Sequence, residues 1–270
     1  MARRTRTKLG TWRRIASGAW GPPTDPQIYG SLDVDATRML EWIAAERERT
    51  GVRLTPTHIV GRALALGLAA APELNVLISR GKAIHRETID VFFIASVKGD
   101  DELSGVKVER VDERSAVDLA RELGERAAKV RRGEDDVMDR SKKLVNSAPM
   151  PLLRKVIRLG GWLTSDAGLD APGMGLPRYP FGSAMVTSVG MFGLTHGYAP
   201  LAAYYKVPLL IMVGALHEAP VAVDGQVEAR QVLPITATID HRYIDGSALA
   251  RFAAAGKAYL ADPGAFEPSE

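Results

Sequence analysis

The sequence contains no cysteine. Disulfide frameworks, thiolate nucleophiles and cysteine-based zinc or iron–sulfur sites are therefore excluded, because each depends on that side chain. The sequence also has little excess of charge of either sign, since it contains 35 Lys and Arg residues and 32 Asp and Glu residues. A net charge of +3 does not provide the clustered basic face that nucleic-acid recognition needs. We therefore expect no nucleic-acid partner.

Long apolar runs are absent as well. The longest, Val207 to Leu216, is shorter than the roughly 18 to 20 residues that a membrane-spanning helix requires. The basic first residues are similar to the start of a signal peptide, but Arg13 and Arg14 interrupt the apolar run that would have to follow. With 46% apolar and 25% charged residues, the composition is that of a soluble globular protein, which we expect to be cytoplasmic.

Motifs for nucleotides and metals are missing from the sequence. There is no Gly-x-Gly-x-x-Gly and no P-loop, and Gly190, Gly193 and Gly197 indicate turns instead of a phosphate cradle. The five histidines include no pair at metal-ligand spacing on a helix face and no His-Glu-x-x-His motif. We therefore expect no metal site.

The residues that are present predict alternating helices and strands. Asp35 and Gly51 mark the two ends of one helix, and Thr55-Pro56 opens a second helix that ends at Pro72. We expect residues 29–270 to form one α/β domain with a mixed sheet, after a basic N-terminal arm of residues 1–28. Further helices are predicted over 115–131 and 247–260, and strands over 29–34, 90–97, 105–111, 184–189, 208–214, 221–223, 226–232 and 235–240, with a hairpin turn at Asp224-Gly225.

The region from Asp136 to Phe181 has a less familiar pattern. Residues 136–163 are amphipathic, and Pro149 and Pro151 predict a division into two helices, whereas 163–181 is rich in Gly, Pro and Asp and predicts a long loop. For the basic stretch from Met150 to Leu163 we favour a helix packed on the protein with one solvated face. A helix that lies on a membrane, or lines an acyl-chain tunnel, is the less favoured alternative.

His241 occupies a position where the sequence predicts a reactive group. It follows the predicted strand 235–240 and precedes the last helix, and strand ends of this kind often carry catalytic side chains in α/β folds. An imidazole is a suitable general base near neutral pH, and Asp245 could hold the local turn through a charge-assisted hydrogen bond. On spacing alone, a histidine that only bonds backbone groups is an equally good interpretation.

The run from Thr238 to Gly246, TIDHRYIDG, closely resembles the Asp-His-Arg-x-x-Asp-Gly signature of the catalytic domain of 2-oxoacid dehydrogenase dihydrolipoamide acyltransferases. MVTSVGMFG, at residues 185–193, is similar to the Thr-Ile-Ser-x-Leu-Gly-x-x-Gly stretch of the same family, and residues 54–75 resemble one of its helices. Asp240 stands where lipid-condensing and peptide-condensing relatives usually have a second histidine, which favours the dehydrogenase branch. The resemblance extends over most of the chain from about Trp12 onward.

The resemblance implies a chloramphenicol acetyltransferase-like fold, a two-layer α/β sandwich with a mixed sheet. It implies homotrimers, or larger assemblies of trimers, with each active site between two subunits. The implied reaction moves an acyl group between coenzyme A, a substrate that serves as the small-molecule acyl donor, and a thiol or hydroxyl acceptor. A separate lipoyl or acyl-carrier protein is a further partner that the resemblance suggests. The alternative is a non-catalytic trimeric scaffold or assembly protein that has kept the fold.

The resemblance also implies roles for individual residues. His241 would be the general base that takes the proton of the attacking nucleophile. Thr187 would donate a hydrogen bond to the oxyanion in place of the family's serine, with Ser188 as the second assignment. A threonine keeps the hydroxyl but restricts its rotamer.

Asp245 would be structural, paired with an arginine near the N-terminus, either Arg13 or Arg14. The sequence departs from the family pattern at three points. No lipoyl-lysine segment is visible, the stretch from Glu102 to Asp112 replaces a strand rich in Val and Pro, and the region 136–181 is longer than usual. We therefore expect a stand-alone catalytic domain whose acyl group and acceptor the sequence does not identify.

Overall fold

The computed structural model describes residues 25–97, 102–132 and 150–267. Most of the basic arm predicted over residues 1–28, including Arg13 and Arg14, lies outside these ranges. The first of the two helices predicted after residue 136 lies outside them too. The described part forms two layers, in which helices cover one face of a mixed sheet.

The sheet combines parallel and antiparallel strands. Its order is β1-β9-β7-β6-β4-β5, and β8 pairs with the first half of β9. Strand β6 is parallel to β7 and β4, whereas β1, β7 and β8 are antiparallel to β9, and β5 to β4. In chain order the strands are β1 (Gln27–Asp35), β2 (Val76–Ser79), β3 (Lys82–His85), β4 (Val91–Val97), β5 (Glu102–Val108), β6 (Ala184–Ser188), β7 (Leu209–Val213), β8 (His217–Val223) and β9 (Gln226–Asp240).

The helices begin and end near the residues that the sequence indicates. Gly51 ends the first helix in the left-handed conformation, with φ 69°, and Thr55 forms a capping box with His58 at the start of the second. Among the residues described, no helix is both long enough and apolar enough to cross a membrane. The helices are α1 (Thr37–Thr50), α2 (Pro56–Ala70), α3 (Ala116–Arg131), α4 (Met150–Gly161) and α5 (Gly246–Ala261).

Alternate side chains of the central strands enter two different clusters, because successive residues of a strand point to opposite faces. One set packs against the helices in the main core and includes Phe93, Val186 and Ile211. The other set lies on the opposite face beneath Phe181 and Tyr205 and consists of Phe92, Met185 and Leu210. The two-layer α/β arrangement with a mixed sheet, predicted from the sequence, is thus confirmed.

The prediction of two separate strands over 226–232 and 235–240 is wrong, because β9 is continuous. A proline has no N–H to donate, so Pro234 suggested a break. In the structure Pro234 lies where β9 changes its partner from β8 to β7, and its carbonyl accepts a hydrogen bond from the Gly214 N–H at 2.9 Å. The proline is accommodated because the missing donor falls between the two ladders.

Two further segments differ from the sequence analysis. Strands β2 and β3 were not expected; they are four residues each, and β3 is exposed along its whole length, so it has no apolar alternation to detect. The long loop predicted after Leu163 begins with a π-helical turn at Trp162–Asp166. The hairpin turn at Asp224 and Gly225 is confirmed, with both residues at positive φ, 47° and 80°.

Candidate active site

The predicted general base lies at the carboxyl end of β9. The His241 residue is exposed, and its backbone N–H donates to the Pro26 carbonyl at 3.0 Å. The preceding Asp240 N–H donates to the Pro208 carbonyl at 2.8 Å. Hydrogen bonds therefore join the main chain at Asp240 and His241 to the residues that precede β7 and β1.

Asp240 and Arg242, the sequence neighbours of His241, form an ion pair. The buried Asp240 carboxylate accepts hydrogen bonds from Arg242 Nη2 at 2.6 Å, from Arg242 Nε at 3.0 Å and from the Arg242 backbone N–H at 3.0 Å. The bond to the carboxylate raises the pKa of the Arg242 guanidinium. No role was predicted for this pair from the sequence, because the bond between the two side chains depends on their positions in space.

Asp245 caps the helix that follows. Its Oδ1 accepts from the Ala248 backbone N–H at 2.9 Å and from the Ser247 hydroxyl at 2.9 Å. These two hydrogen bonds lower the pKa of Asp245, and the nearby His241 contributes less. The carboxylate therefore caps the start of α5 close to His241. Its predicted pairing with Arg13 or Arg14 stays a prediction, because both arginines lie outside the described residues.

Thr187 and Ser188 end strand β6 and point to opposite faces of the sheet. Thr187 follows Met185 by two positions, so it shares with Met185 the face turned away from the helices, and Ser188 lies on the other face. Both residues are half-buried. The two alternative oxyanion donors therefore cannot serve the same site, and Thr187 is the one next to an open surface.

That open surface is formed by residues 190–198, which lie over β7 and β9 beside Thr187. The Thr236 hydroxyl donates to the Gly197 carbonyl, and the Tyr198 ring contacts Tyr29 of β1 edge to face at 5.2 Å between ring centroids. Several apolar side chains of this surface are more than half exposed, which is typical of contact surfaces. They are Tyr29, Met191, Phe192 and Leu194.

The fold separates Thr187 and His241 within one chain. Thr187 pairs with Met212, and Met212 pairs with Thr236, so the three residues share one level of the sheet. His241 lies five positions beyond Thr236, which corresponds to about 17 Å along the strand at roughly 3.4 Å per residue. One copy of the chain therefore brings His241 next to Asp245 but not next to Thr187.

Curated relatives of the chain are acyltransferase components of multienzyme systems. The dihydrolipoyllysine-residue acetyltransferase component of the acetoin cleaving system of Bacillus subtilis is 25% identical over 230 residues, which is 85% of this chain and 47% of the relative. The corresponding component of the pyruvate dehydrogenase complex of Haemophilus influenzae is 25% identical over 232 residues, 85% of this chain and 33% of the relative. The chain thus spans half or less of the length of these relatives.

Solved structures share the fold. A probable dihydrolipoamide acetyltransferase from Listeria monocytogenes superposes with a TM-score of 0.66 at 20% identity, over 97% of both chains. The cubic core of the pyruvate dehydrogenase multienzyme complex gives a TM-score of 0.64 at 23% identity, over 90% of this chain and 84% of that one. The chain therefore shares the fold of these acetyltransferase cores, a two-layer α/β sandwich with a mixed sheet.

A family model agrees with these relatives. The model described as 2-oxoacid dehydrogenases acyltransferase (catalytic domain) matches residues 22–143 and 181–266, which include the whole sheet and the His241 turn. The chain therefore belongs to the 2-oxoacid dehydrogenase acyltransferase family and represents its catalytic domain.

Proposed function

We propose that this domain transfers an acyl group between coenzyme A and a thiol or hydroxyl acceptor, with His241 as general base and Thr187 as oxyanion donor. The observation that carries the proposal is the exposed imidazole at the end of β9, fixed by main-chain hydrogen bonds and bracketed by the Asp240–Arg242 pair. A base held in place yet open to solvent can meet a substrate without rearrangement of the fold.

The chemistry needs only these two groups and the substrates. The His241 imidazole accepts the proton of the attacking thiol or hydroxyl, whose sulfur or oxygen then forms a bond to the carbonyl carbon of the acyl group. The Thr187 hydroxyl donates a hydrogen bond to the resulting oxyanion, a contribution worth roughly 3 kcal/mol when one donor is removed. As the tetrahedral species collapses, the bond to the leaving thiolate breaks, and the imidazolium returns the proton to it.

A site shared by two copies explains the separation of the two groups. We propose a homotrimer in which His241 of one copy faces Thr187 of the next, because about 17 Å divides them within one chain. The exposed apolar side chains beside Thr187 suit a contact with a second copy. The relatives are named as components of an acetoin cleaving system and a pyruvate dehydrogenase complex, so a separate lipoyl or acyl-carrier protein is the proposed natural partner.

The test mixes two inactive variants. His241→Ala removes the base and Thr187→Val removes the hydroxyl, and each alone should lose nearly all acyl transfer from acetyl-CoA to dihydrolipoamide. In assemblies formed randomly from equal amounts of both, about a quarter of shared sites contain an intact histidine and an intact threonine. We expect that fraction of wild-type activity to return.

The control is an equal mixture of His241→Ala with the double variant, which contains no intact site. If the complementary mixture is as inactive as this control, the shared site is wrong. If His241→Ala releases CoA as fast as the wild type, the enzymatic proposal is wrong and a scaffold that has kept the fold is the better account.

A further inference from the structure

Helix α4 belongs to a segment that the family model does not match. The matched ranges end at residue 143 and resume at 181, so residues 144–180 lie between them. The sheet and the His241 turn lie within the matched ranges. Helix α4 therefore lies outside the part of the chain that the family model matches.

The carboxyl end of α4 is fixed to the rest of the protein on one side. Gly161 is buried against the Tyr204 main chain, where a Cβ atom would meet the Tyr204 carbonyl oxygen at 2.3 Å. In the turn that follows, the Ser165 hydroxyl donates to the Tyr205 carbonyl at 3.1 Å, and Asp166 accepts a hydrogen bond from the Ser79 hydroxyl at 2.5 Å. These contacts set which face of α4 is turned outwards.

The outward face of α4 combines apolar and cationic side chains. Leu152, Lys155, Leu159 and Trp162 follow one another at i, i+3, i+7 and i+10, the spacing of a single helix face, and Arg158 borders them. Leu152, Leu159 and Trp162 are 47%, 56% and 44% exposed, and both cations are exposed. We call these five residues the α4 outer face.

The charge of this region has one sign. Between Arg140 and Ser165 the sequence contains six Lys or Arg residues and no Asp or Glu. The exposed Tyr204 ring adds a second aromatic side chain beside the face, with the Arg158 guanidinium 5.9 Å from its centroid. Leucines flanked by cations and interfacial aromatic rings are the pattern of helices that lie in the headgroup region of a membrane.

We propose that the α4 outer face docks this domain on an anionic lipid bilayer. The helix lies parallel to the bilayer plane, with Leu152, Leu159 and Trp162 inserted among the upper acyl chains and Lys155 and Arg158 against the lipid phosphates. Lys155 and Arg158 select an anionic surface, and the apolar side chains of the α4 outer face supply the part of the affinity that salt does not screen. The proposal is independent of the acyl transfer proposed above, because binding requires neither His241 nor Thr187.

The test is co-sedimentation of the whole protein with vesicles of phosphatidylcholine that contain or lack phosphatidylglycerol. We expect binding to the anionic vesicles, weakened by 0.5 M salt, and at least roughly tenfold weaker binding to neutral ones. Lys155→Glu with Arg158→Glu should lower binding about 30-fold or more, since each cation near the surface is worth about a factor of five. Leu159→Ser with Trp162→Ser should lower binding at both salt concentrations.

Matched controls change exposed residues of the same kinds elsewhere. Lys257→Glu on α5 and Val227→Ser in the β8–β9 hairpin should leave vesicle binding unchanged. The mass in solution and the circular dichroism spectrum of every variant are measured alongside. Wild-type protein that stays in the supernatant, or binds neutral and anionic vesicles equally, overturns the proposal. A smaller mass in solution for Leu159→Ser with Trp162→Ser also overturns it, because the face is then a contact between copies of the chain.

Discussion

Asp240 and Arg242, which flank His241 in the sequence, form an ion pair in which Arg242 Nη2 lies 2.6 Å from the Asp240 carboxylate. The carboxylate is 7% exposed and the guanidinium 61% exposed, so the negative charge of the pair is buried and the positive charge is in solvent. A buried carboxylate needs its partner more than an exposed guanidinium does, because only the carboxylate has lost its water. We expect the pair to support the main chain at His241.

Arg242→Ala should lower both the stability of the fold and the rate of acyl transfer. The change leaves the Asp240 carboxylate with only the backbone N–H, which we expect to reduce the free energy of unfolding by about 1 to 2 kcal/mol. We expect kcat to fall more than the affinity for substrate, because the proposed base, His241, lies between the two members of the pair in the sequence. Urea unfolding and steady-state kinetics measure the two effects.

The matched control is Arg38→Ala, whose ion pair with Asp262 is exposed on both sides, 74% and 44%, and joins α1 to the end of α5. Exposed pairs contribute little, so this variant should unfold within about 0.5 kcal/mol of the wild type. Equal losses for the two arginines would contradict the supporting role of Arg242.

His58 gives the fold a defined dependence on pH. Burial, with smaller contributions from the charges of Arg47 and Arg53, lowers the pKa of His58 to about 4 from its ordinary 6.5. The unfolded chain therefore binds a proton below pH 6.5 that the folded chain does not bind until about pH 4. The free energy of unfolding should fall as the pH drops from 6.5 to 4, by at most roughly 3 kcal/mol from this group.

His58→Gln isolates this effect. The His58 Nδ1 accepts the Thr55 backbone N–H at 3.0 Å, and a glutamine at the same position of a capping box can accept that bond without titrating. The stability difference between wild type and variant, measured by urea unfolding at several pH values, should shift towards the variant as the pH falls through this window. A difference that is the same at pH 7 and pH 4.5 would rule out His58 as the cause.

Two glycines in helices should respond in opposite ways to alanine. Gly161→Ala places a Cβ too close to the Tyr204 carbonyl oxygen, so α4 must move away from Tyr204. We expect the free energy of unfolding to fall by about 1 to 3 kcal/mol. Gly124→Ala in α3 meets nothing within 4 Å and should gain about 0.5 to 1 kcal/mol from helix propensity. Thermal unfolding followed by circular dichroism compares them, and a destabilised Gly124→Ala would show that the α3 backbone needs the glycine.

Glu267 should be among the most sensitive positions outside the site. Its carboxylate, 4% exposed, accepts from the Tyr259 hydroxyl at 2.6 Å, the Ala116 N–H at 2.9 Å and Arg62 Nε at 3.4 Å. Glu267→Ala removes the carboxylate that pairs with the buried Arg62 charge. We therefore expect the free energy of unfolding to fall by about 3 to 5 kcal/mol.

Tyr259→Phe is the comparison for Glu267→Ala, because it removes one donor to the carboxylate and leaves no void. It should cost only about 1 to 2 kcal/mol. Urea unfolding of both variants measures the difference. Equal losses would mean that the hydrogen bond of the Tyr259 hydroxyl, and not the buried charge of Arg62, accounts for the loss of stability.

Local chemistry made the helices predictable from the sequence. Thr55 and Pro56 define the start of α2, and Gly51 defines the end of α1, because the groups that cap a helix are close to it in sequence. The Asp224-Gly225 turn was predictable for the same reason: two adjacent residues at positive φ select this hairpin.

Long-range pairing was not predictable in the same way. Pro234 looks like an interruption until β8 and β7 are both seen to pair with β9, and β3 becomes a strand only because β2 lies beside it. At the site, the family motif identified His241, whereas the bond between Asp240 and Arg242 required their positions in space. The distance between Thr187 and His241 along the sheet depends on the register of β6, β7 and β9. No single segment of the sequence encodes that register.

The pairing of β1 with β9 has a consequence for synthesis of the protein on the ribosome. Gln27 lies opposite Asp240, and Asp35 lies opposite Val232. The ribosome must therefore add about 200 further residues after β1 before β9, its partner strand, has been synthesised. At 5 to 20 residues per second that interval is roughly 10 to 40 s. During it, the amide groups of the first strand have no β9 partner and are hydrogen-bonded to water instead. A polypeptide released before β9 is complete therefore lacks the strand that pairs with β1 at this edge of the sheet.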